Sequence, residues 1–478
     1  MLVGITSSCT KDFEDYNTDK KNPTDVKGEF LFSSAQKAFA DQISSTSVNL
    51  NVFKLFAQQW TETTYVDEAN YDIVNRKIPD NNFGTYYRSV LNLLDQSGAK
   101  ITDAEIPALE TEAWKKNKLA IIELMRVFTY HELVNTFGDI PYSEANNIEN
   151  ISPVYEDAKT IYADLLTRID GALSSMDDAA GSFGKSDLIY GGDVVAWKKF
   201  AYSLKLKIAV NQSDGVDVAA VYNDVKSKVF DSAADNMLFA YFGSQPNTNP
   251  MHVSLVISGR SDFIPANTLV DLMNSMDDPR MDFFFKDKVD TSSVDGVEKL
   301  AWVGGLYGHS NAYPNYSHIN NKIQEATFPG ILMTFSEVQF YLAEAAERTG
   351  DAGTAATYYD AGVKASCEFW GVASADADTY LAAHVYAGYN SIAEQSYLAA
   401  YTRGDVAYTT YRRLDWPVFN IAPEANTTDG LVPRRFTYPI NEQTLNKANY
   451  ETASAAIGGD AMETRLFWDT KDPIIPAP

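Results

Sequence analysis

Aromatic side chains set among glycines and asparagines are the residues of this chain best suited to contact a ligand. They form one cluster in the stretch 302–316 and a smaller one in the stretch 65–71: Trp302, Tyr307, Tyr313, Tyr316, Tyr65, Asn70 and Tyr71. Sugar rings have apolar C–H faces and hydroxyl edges, which match the area of aromatic rings and the hydrogen bonds of amides. The pattern predicts a glycan-binding surface with Trp302 as its main platform; the alternative is that these rings pin long loops onto the protein.

The histidines do not form a recognisable catalytic or metal-binding motif. The run from His131 to Asn135 begins like a zinc-peptidase helix, but Asn135 stands where the second histidine is required. Because zinc needs two imidazoles one turn apart, the motif fails, and His131 is expected to pack or cap near the end of its helix. The other four histidines are not spaced as ligands, so the sequence predicts neither a metal nor a cofactor.

The sequence also lacks clear evidence for the other common catalytic and anion-binding motifs. The glycine-rich run 304–309 lacks the Lys-Ser/Thr end of a phosphate-binding loop. With 64 acidic residues, a carboxylate pair could arise in space, so a polysaccharide hydrolase stays an alternative to a non-catalytic protein. The pairs Arg412-Arg413 and Arg434-Arg435 invite an anionic ligand, but arginines in proline-bounded segments favour ties to loop carbonyls and carboxylates.

The net charge of the chain limits the classes of molecule that it can bind. The 478-residue chain carries 39 basic and 64 acidic side chains, a net charge of -25. Such a surface repels phosphate backbones, so nucleic-acid binding is excluded as a function. Hydrophobic residues make up 45% of the chain, enough for a substantial core, yet no apolar run has the length of a membrane-spanning helix.

The N-terminal residues predict attachment to a membrane by lipid. MLVGITSSC is an apolar run followed by small residues and Cys9, and an acidic, polar stretch comes next. We interpret residues 1–18 as a truncated signal with a lipobox and tether, and Cys9 as the lipidation site. The other cysteine, Cys367, lies on an apolar helical stripe and is expected to be buried.

The elements that must position these residues are helix pairs. In Phe335–Gly371, apolar residues recur at helical spacing on both sides of a Gly turn, Ser336 is the predicted N-cap, and alanines allow close packing. Such a hairpin resembles one tetratricopeptide unit. Two more hairpins are predicted at Leu119–Met176 and Trp197–Val229, and another helix at Val52–Thr63. The stretch Phe239–Ala326 lacks long periodic runs and predicts irregular loops. The expected fold is all-α, with a single domain over 19–478.

Four stretches together resemble SusD/RagB-type lipoproteins of Bacteroidetes. They are the lipobox with its tether, the segment Asn135–Ala145, the hairpin at Phe335–Gly371, and a C-terminal block containing Arg412–Pro417 and Val432–Tyr450. The resemblance implies a tetratricopeptide-like scaffold of helix pairs (an α-α superhelix) with long irregular loops packed on it.

The same resemblance implies a function. It indicates a non-catalytic lipoprotein on the surface of the outer membrane, held there through its lipid anchor only. The protein would capture glycans, as oligo- or polysaccharides, and deliver them to a SusC-like TonB-dependent outer-membrane transporter. Binding of oligopeptides, as in RagB-like proteins, is the alternative that the resemblance leaves open.

Overall fold

The computed structural model describes residues 26–215, 217–292 and 299–471, and most of their regular structure is helical. The α-helices, in chain order, are α1 (Gly28–Ser44), α2 (Phe53–Phe56), α3 (Ile78–Gly84), α4 (Asn92–Asp103), α5 (Glu112–Phe137), α6 (Ala158–Ser175), α7 (Val194–Asn211), α8 (Ala219–Val225), α9 (Pro250–His252), α10 (Asn267–Ser275), α11 (Met281–Phe284), α12 (Phe335–Arg348), α13 (Ala352–Trp370), α14 (Ser374–Ala383), α15 (Tyr389–Ala399), α16 (Gly404–Leu414), α17 (Glu442–Leu445) and α18 (Lys447–Ala456). A π-helical segment, Thr85–Leu91, joins α3 to α4.

Within the described ranges, the β-strands pair into five short antiparallel ribbons. Their strands are β1 (Trp60–Glu62), β2 (Ile140–Pro141), β3 (Tyr155–Glu156), β4 (Met237–Phe239), β5 (Phe263–Pro265), β6 (Phe285–Lys286), β7 (Val289–Asp290), β8 (Leu300–Ala301), β9 (His318–Ile319) and β10 (Gly330–Met333). The pairs are β1–β5, β2–β3, β4–β10, β6–β9 and β7–β8. Most of them lie in or beside the stretch 239–326, which was predicted to lack long helices.

The three predicted helical hairpins are confirmed. They are the packed pairs α5–α6, α7–α8 and α12–α13, and α7 also packs against α6 and α12. Their inner faces contribute to one cluster of buried hydrophobic side chains that extends from Phe32 to Trp468. Cys367 is fully buried within this cluster, as its apolar stripe predicted.

The hairpin α12–α13 shows how local chemistry sets the ends of helices. Thr334, not Ser336, is the N-cap of α12, and its side chain accepts a hydrogen bond from the backbone of Glu337. The prediction for Ser336 was therefore wrong. That residue lies buried inside the helix, where its Oγ donates to the Gly362 carbonyl at 2.7 Å. The contact needs a glycine, because a Cβ on Gly362 would lie 2.9 Å from the Phe340 ring.

The predicted helix Val52–Thr63 is also wrong beyond its first turn. The helix ends at Phe56, and Gln58 adopts a left-handed φ of 48° that no helix continues through. The next residues form β1, in which Trp60 faces Pro265 and Glu62 faces Phe263. All three residues of β1 are buried, and Trp60 continues the helical spacing of Phe53, Phe56 and Ala57, which is why this strand was mistaken for a helix.

Buried polar groups join the helix pairs to one another. The His131 ring is buried in α5, and its Nε2 lies 3.1 Å from both the Asn135 and Asn211 side-chain amides. His131 therefore packs near the helix end, as the failed zinc motif predicted. The helix itself ends where Gly138 takes a φ of 85°.

The arginine pairs of the C-terminal block serve structure, as predicted. Arg412 Nη1 donates to the carbonyls of Asn135 (2.9 Å) and Arg434 (2.7 Å). Arg413 pairs with the buried carboxylate of Glu344 on α12. The other pair behaves alike, since Arg434 pairs with Asp469 at 3.0 Å and Arg435 with Asp460 at 2.6 Å. These bonds fasten the last segment of the chain to the ends of α5 and α12.

Candidate ligand-binding cleft

Tyr65 is the predicted site residue that the structure exposes most. Its ring is 59% exposed on the loop that leaves β1. The start of that loop is held against the segment just before β5, where Thr63 N donates to Asp262 O at 3.0 Å and Thr63 Oγ1 to Ser261 O at 2.7 Å. The Arg260 guanidinium carbon lies 5.6 Å from the centre of the Tyr65 ring. An aromatic face on an anchored loop, with a cation beside it, makes a pre-formed contact surface.

Tyr65 stands at a cleft of about 520 Å³ between the end of α1, the β1 loop and the segment before β5. Polar side chains dominate its lining, and of its two aromatic rings Tyr65 is exposed and Phe263 is buried. The lining consists of Thr46, Ser47, Val48, Asn49, Glu62, Tyr65, Glu68, Arg76, Ser254, Ser258, Arg260, Asp262 and Phe263. Hydroxyls, amides, carboxylates and guanidiniums around one exposed ring provide both donors and acceptors for a hydroxyl-rich ligand.

The charges in this cleft are paired. Arg260 Nε contacts Asp262 Oδ2 at 2.5 Å on the rim, and Arg76 Nε contacts Glu68 Oε1 deeper inside. Glu62 is buried, and its Oε2 accepts a hydrogen bond from the Ala69 backbone at 2.9 Å. Burial and the neighbouring Glu68 carboxylate raise the pKa of Glu62 to about 9, so Glu62 is protonated at neutral pH.

Three of the predicted contact residues are loop anchors, and their assignment to a ligand surface is wrong. Tyr71 is fully buried, with its ring edge-on to Phe56 at 5.4 Å, and Tyr307 is only 2% exposed. The two tyrosine rings lie 6.4 Å apart. Buried Asn70 ties distant loops together, since its side chain donates to the Gly308 carbonyl at 2.8 Å and accepts from Glu424 N at 2.9 Å. None of the three presents a face to solvent.

The remaining predicted residues lie around the β6–β9 and β7–β8 ribbons. Trp302, Tyr313 and Tyr316 are all half-buried. The Trp302 ring meets Phe285 at 5.9 Å, and the Lys288 ammonium lies 4.8 Å from its centre. Tyr313 stacks on His318 with ring centres 3.8 Å apart. Part of each of these side chains is therefore exposed, while the stacked rings of Trp302 and Tyr313 support the ribbons.

Hydrogen bonds to the Thr63 carbonyl bring the two predicted clusters, in the stretches 65–71 and 302–316, close to each other. Asn311 N and Ser310 Oγ both donate to the Thr63 carbonyl, at 2.7 and 3.0 Å. The loop 306–312 thus runs beside the start of the Tyr65 loop. The Tyr65 ring itself contacts Arg260, a residue that sequence reasoning did not select.

Sequence reasoning missed the charged lining of the cleft, including Arg260, Asp262, Arg76, Glu62 and Glu68. Arg260 and Asp262 lie almost 200 positions from Tyr65, in a stretch without periodicity. Glu62 was hidden inside an incorrectly predicted helix. The one usable signal was the clustering of Glu62, Glu68 and Arg76 around Tyr65 itself.

The described ranges contain no group of three or more His, Cys, Asp or Glu side chains arranged to hold a metal ion. In the same ranges, no helix combines the length and apolar character needed to cross a bilayer. Cys9 and the predicted lipobox lie outside the part of the chain that the structure describes.

Comparison with protein-family models identifies the family to which this chain belongs. Residues 20–439 match the SusD-like family model described as starch-binding and associating with the outer membrane. The chain belongs to the SusD-like family. No curated protein sequence matches it.

Solved structures of SusD-like and related proteins share the fold of this SusD-like chain. One, named as a chitin-binding protein, has a TM-score of 0.80 and 24% identity, covering 93% of this chain and 100% of its own. A chitin-binding SusD homologue from Flavobacterium johnsoniae has a TM-score of 0.76 and 20% identity, covering 93% and 99%. A SusD homologue from Bacteroides uniformis has a TM-score of 0.76 and 23% identity, covering 92% and 99%. At these identities the likeness establishes the fold alone.

Proposed function

We propose that this SusD-like protein is a non-catalytic lipoprotein of the outer-membrane surface that captures glycans in the Tyr65 cleft. The observation that carries the proposal is an open, polar cleft with one exposed aromatic ring on an anchored loop, in a chain of this family. The ring stacks on the apolar face of a sugar, and the flanking hydroxyls, amides and paired charges bond to its edges.

The carboxyl groups of the cleft support binding without hydrolysis. Glycosidases place two carboxyl groups about 5–9.5 Å apart so that a glycosidic bond, or a bond and a water, fits between them. Glu62 and Glu68 are instead both buried and close to each other, since the Glu68 carboxylate helps to raise the pKa of Glu62. Such a pair leaves no room for a sugar linkage between its members, so these two carboxylates do not act as the acid and base of a hydrolase.

Chitin is the first glycan to test, because two structural neighbours are named for binding it. The family description names starch instead, so maltooligosaccharides belong in the same panel. Oligopeptides complete the panel as the alternative ligand class. We propose that the captured glycan passes to a SusC-like TonB-dependent transporter, and that the anchor is a lipid on Cys9. Labelled fatty acid should enter the full-length precursor and be absent from Cys9→Ala.

Calorimetric titration of the panel against wild type and Tyr65→Ala tests the proposal. We expect a glycan to bind and Tyr65→Ala to lose about 1 kcal/mol, roughly five-fold in affinity, as for one aromatic platform. Phe30→Ala is a matched control, since Phe30 is also 59% exposed but lies on α1 beside a different cavity. Binding of peptides only, release of free sugar on long incubation, or equal glycan affinity in Tyr65→Ala would contradict the proposal.

A further inference from the structure

Both arginines that line the Tyr65 cleft are paired with a carboxylate. On the rim, Arg260 Nε lies 2.5 Å from Asp262 Oδ2, and deeper inside, Arg76 Nε contacts Glu68 Oε1. The two guanidiniums are still accessible, since the Arg260 side chain is 53% exposed and the Arg76 side chain 38%. The cleft therefore offers N–H donors to a ligand, while the positive charge of each arginine is balanced within the protein.

The Arg260–Asp262 pair lies beside the ring that would contact a sugar. The Arg260 guanidinium carbon is 5.6 Å from the centre of the Tyr65 ring. The backbone holds both residues there, because Arg260 N donates to Ser258 Oγ at 3.1 Å and the Asp262 carbonyl accepts from Thr63 N at 3.0 Å. A substituent on the edge of a sugar stacked on Tyr65 therefore meets a guanidinium and a carboxylate together.

This arrangement disfavours a glycan that carries carboxylates. A site that recognises a carboxylate leaves an arginine free to donate two parallel hydrogen bonds to it. Here the Asp262 carboxylate occupies Nε of Arg260, so an incoming carboxylate would have to displace Asp262 or lie close to another negative charge. A hydroxyl, hydroxymethyl or N-acetyl group meets no such repulsion and accepts hydrogen bonds from the same guanidinium.

The two ion pairs of the cleft differ in what their separation would cost. The Glu68 side chain is 1% exposed, so opening its pair with Arg76 toward a ligand would leave a buried charge uncompensated. Asp262 is 34% exposed on the rim, and removing its charge would leave Arg260 in contact with water. We propose that Asp262 determines specificity in the Tyr65 cleft: by pairing with Arg260, it makes the cleft select neutral glycans over acidic ones.

The net charge of the chain acts in the same direction but over a longer range. With 64 acidic and 39 basic residues, the protein slows the approach of any polyanion, wherever the polyanion would bind. Asp262 adds a local contribution, because two unit charges about 5 Å apart in water repel each other enough to change an affinity about four-fold. Removing a single carboxylate elsewhere on the surface separates the local effect from the general one.

The inference rests on the proposed function, and its test uses pairs of glycans that differ only in charge. The probes are the N-acetylglucosamine hexamer and maltohexaose, each compared with the same oligomer after oxidation of its C6 hydroxymethyl groups to carboxylates. Calorimetric titration at about 20 mM and about 500 mM salt gives the ratio of the two affinities. We expect wild type to prefer the neutral form of the oligomer by at least about ten-fold at low salt, and this preference to shrink at high salt.

Three variants show whether Asp262 is responsible for this preference. Asp262→Asn should raise the affinity for the oxidised oligomer, relative to the neutral one, by about four-fold or more at low salt. Adding Arg260→Gln to that variant should restore the wild-type ratio, because the released positive charge is then absent. Asp178→Asn is the matched control and should leave the ratio unchanged, since it removes one carboxylate from an exposed pair outside the cleft, with Lys198 at 2.8 Å. If the melting curve shows that Asp262→Asn does not fold, Asp262→Ser replaces it.

Several results would overturn the inference: equal binding of both forms by wild type, an unchanged ratio in Asp262→Asn, the same shift in Asp178→Asn, or a double variant that keeps the shift. If one of these occurs while Tyr65→Ala still weakens binding of the neutral oligomer, only this inference fails. If neither hexamer binds in its neutral form, or if Tyr65→Ala changes nothing, the proposed function fails as well.

Discussion

Replacing Tyr71 by alanine separates an anchor from a binding platform within one loop. Tyr71 is 0% exposed and packs on Phe56 and Tyr307, whereas Tyr65, six positions earlier, is 59% exposed. Truncating a buried aromatic ring costs about 3–5 kcal/mol of unfolding free energy. Tyr71 has a left-handed φ of 69°, which alanine tolerates no better, so the change removes the ring without relieving the backbone.

Urea denaturation of Tyr71→Ala and Tyr65→Ala, with calorimetry on the glycan that wild type binds, measures both effects. Tyr71→Ala should lower the unfolding free energy by about 3–5 kcal/mol, and its affinity below the transition should match that of wild type. Tyr65→Ala should show the opposite behaviour, with weakened binding and an unchanged transition. A Tyr71→Ala protein of normal stability that fails to bind would refute the assignment of Tyr71 as a loop anchor.

Three further changes test other parts of the structure. Trp302→Ala should weaken glycan binding several-fold with little change in melting temperature; a collapsed melting temperature with unchanged affinity would make this ring an anchor as well. Gly404→Ala should cost about 3 kcal/mol by denaturation, because its Cβ would lie 2.3 Å from the Lys54 backbone nitrogen, while Gly98→Ala, whose nearest neighbour is 4.0 Å away, should be neutral or stabilising. Glu62→Gln should match wild-type stability near pH 4 and exceed it near pH 8.5. Its folded pKa of about 9 lies above the ordinary 4.5, so the protonated carboxyl's contribution to stability is lost as pH rises between those values. A constant difference in stability across that range would contradict the raised pKa of Glu62.

The helix pairs were readable because their periodicity and their caps are local. The alanines and glycines of α12 and α13 predict close packing of the two helices, wherever the hairpin lies in the fold. The errors arose where distant partners decide the outcome. Val52–Thr63 has an apolar pattern suited to a helix, but pairing with a strand some 200 residues later makes its second half β1.

The sequence predicted which types of residue form the candidate site, but it did not predict which individual residues lie there. Aromatic residues near asparagines indicate either a sugar platform or a loop anchor, and only burial tells the two apart. Tyr65 and Tyr71 share a loop and a composition, yet one faces solvent and the other faces Phe56. The ionic lining was invisible for another reason: Arg260 reaches the Tyr65 ring only because β1 pairs with β5.

The ties between the two ends of the chain have a consequence for how the protein is made. Gln58 bonds to the backbone of Asn420, 362 positions later, and Asp80 accepts from the backbone of Ile440, 360 positions later. The first loops therefore find their partners only when synthesis is nearly complete. Such high contact order makes folding slow, and in a ribosome-bound or partly translocated chain α2 stays exposed until α16, which packs on it, has been made. A chain truncated before residue 400 lacks α16 and Phe436, which pack on α2, so we expect it to leave part of its core open and to aggregate more readily than the whole chain.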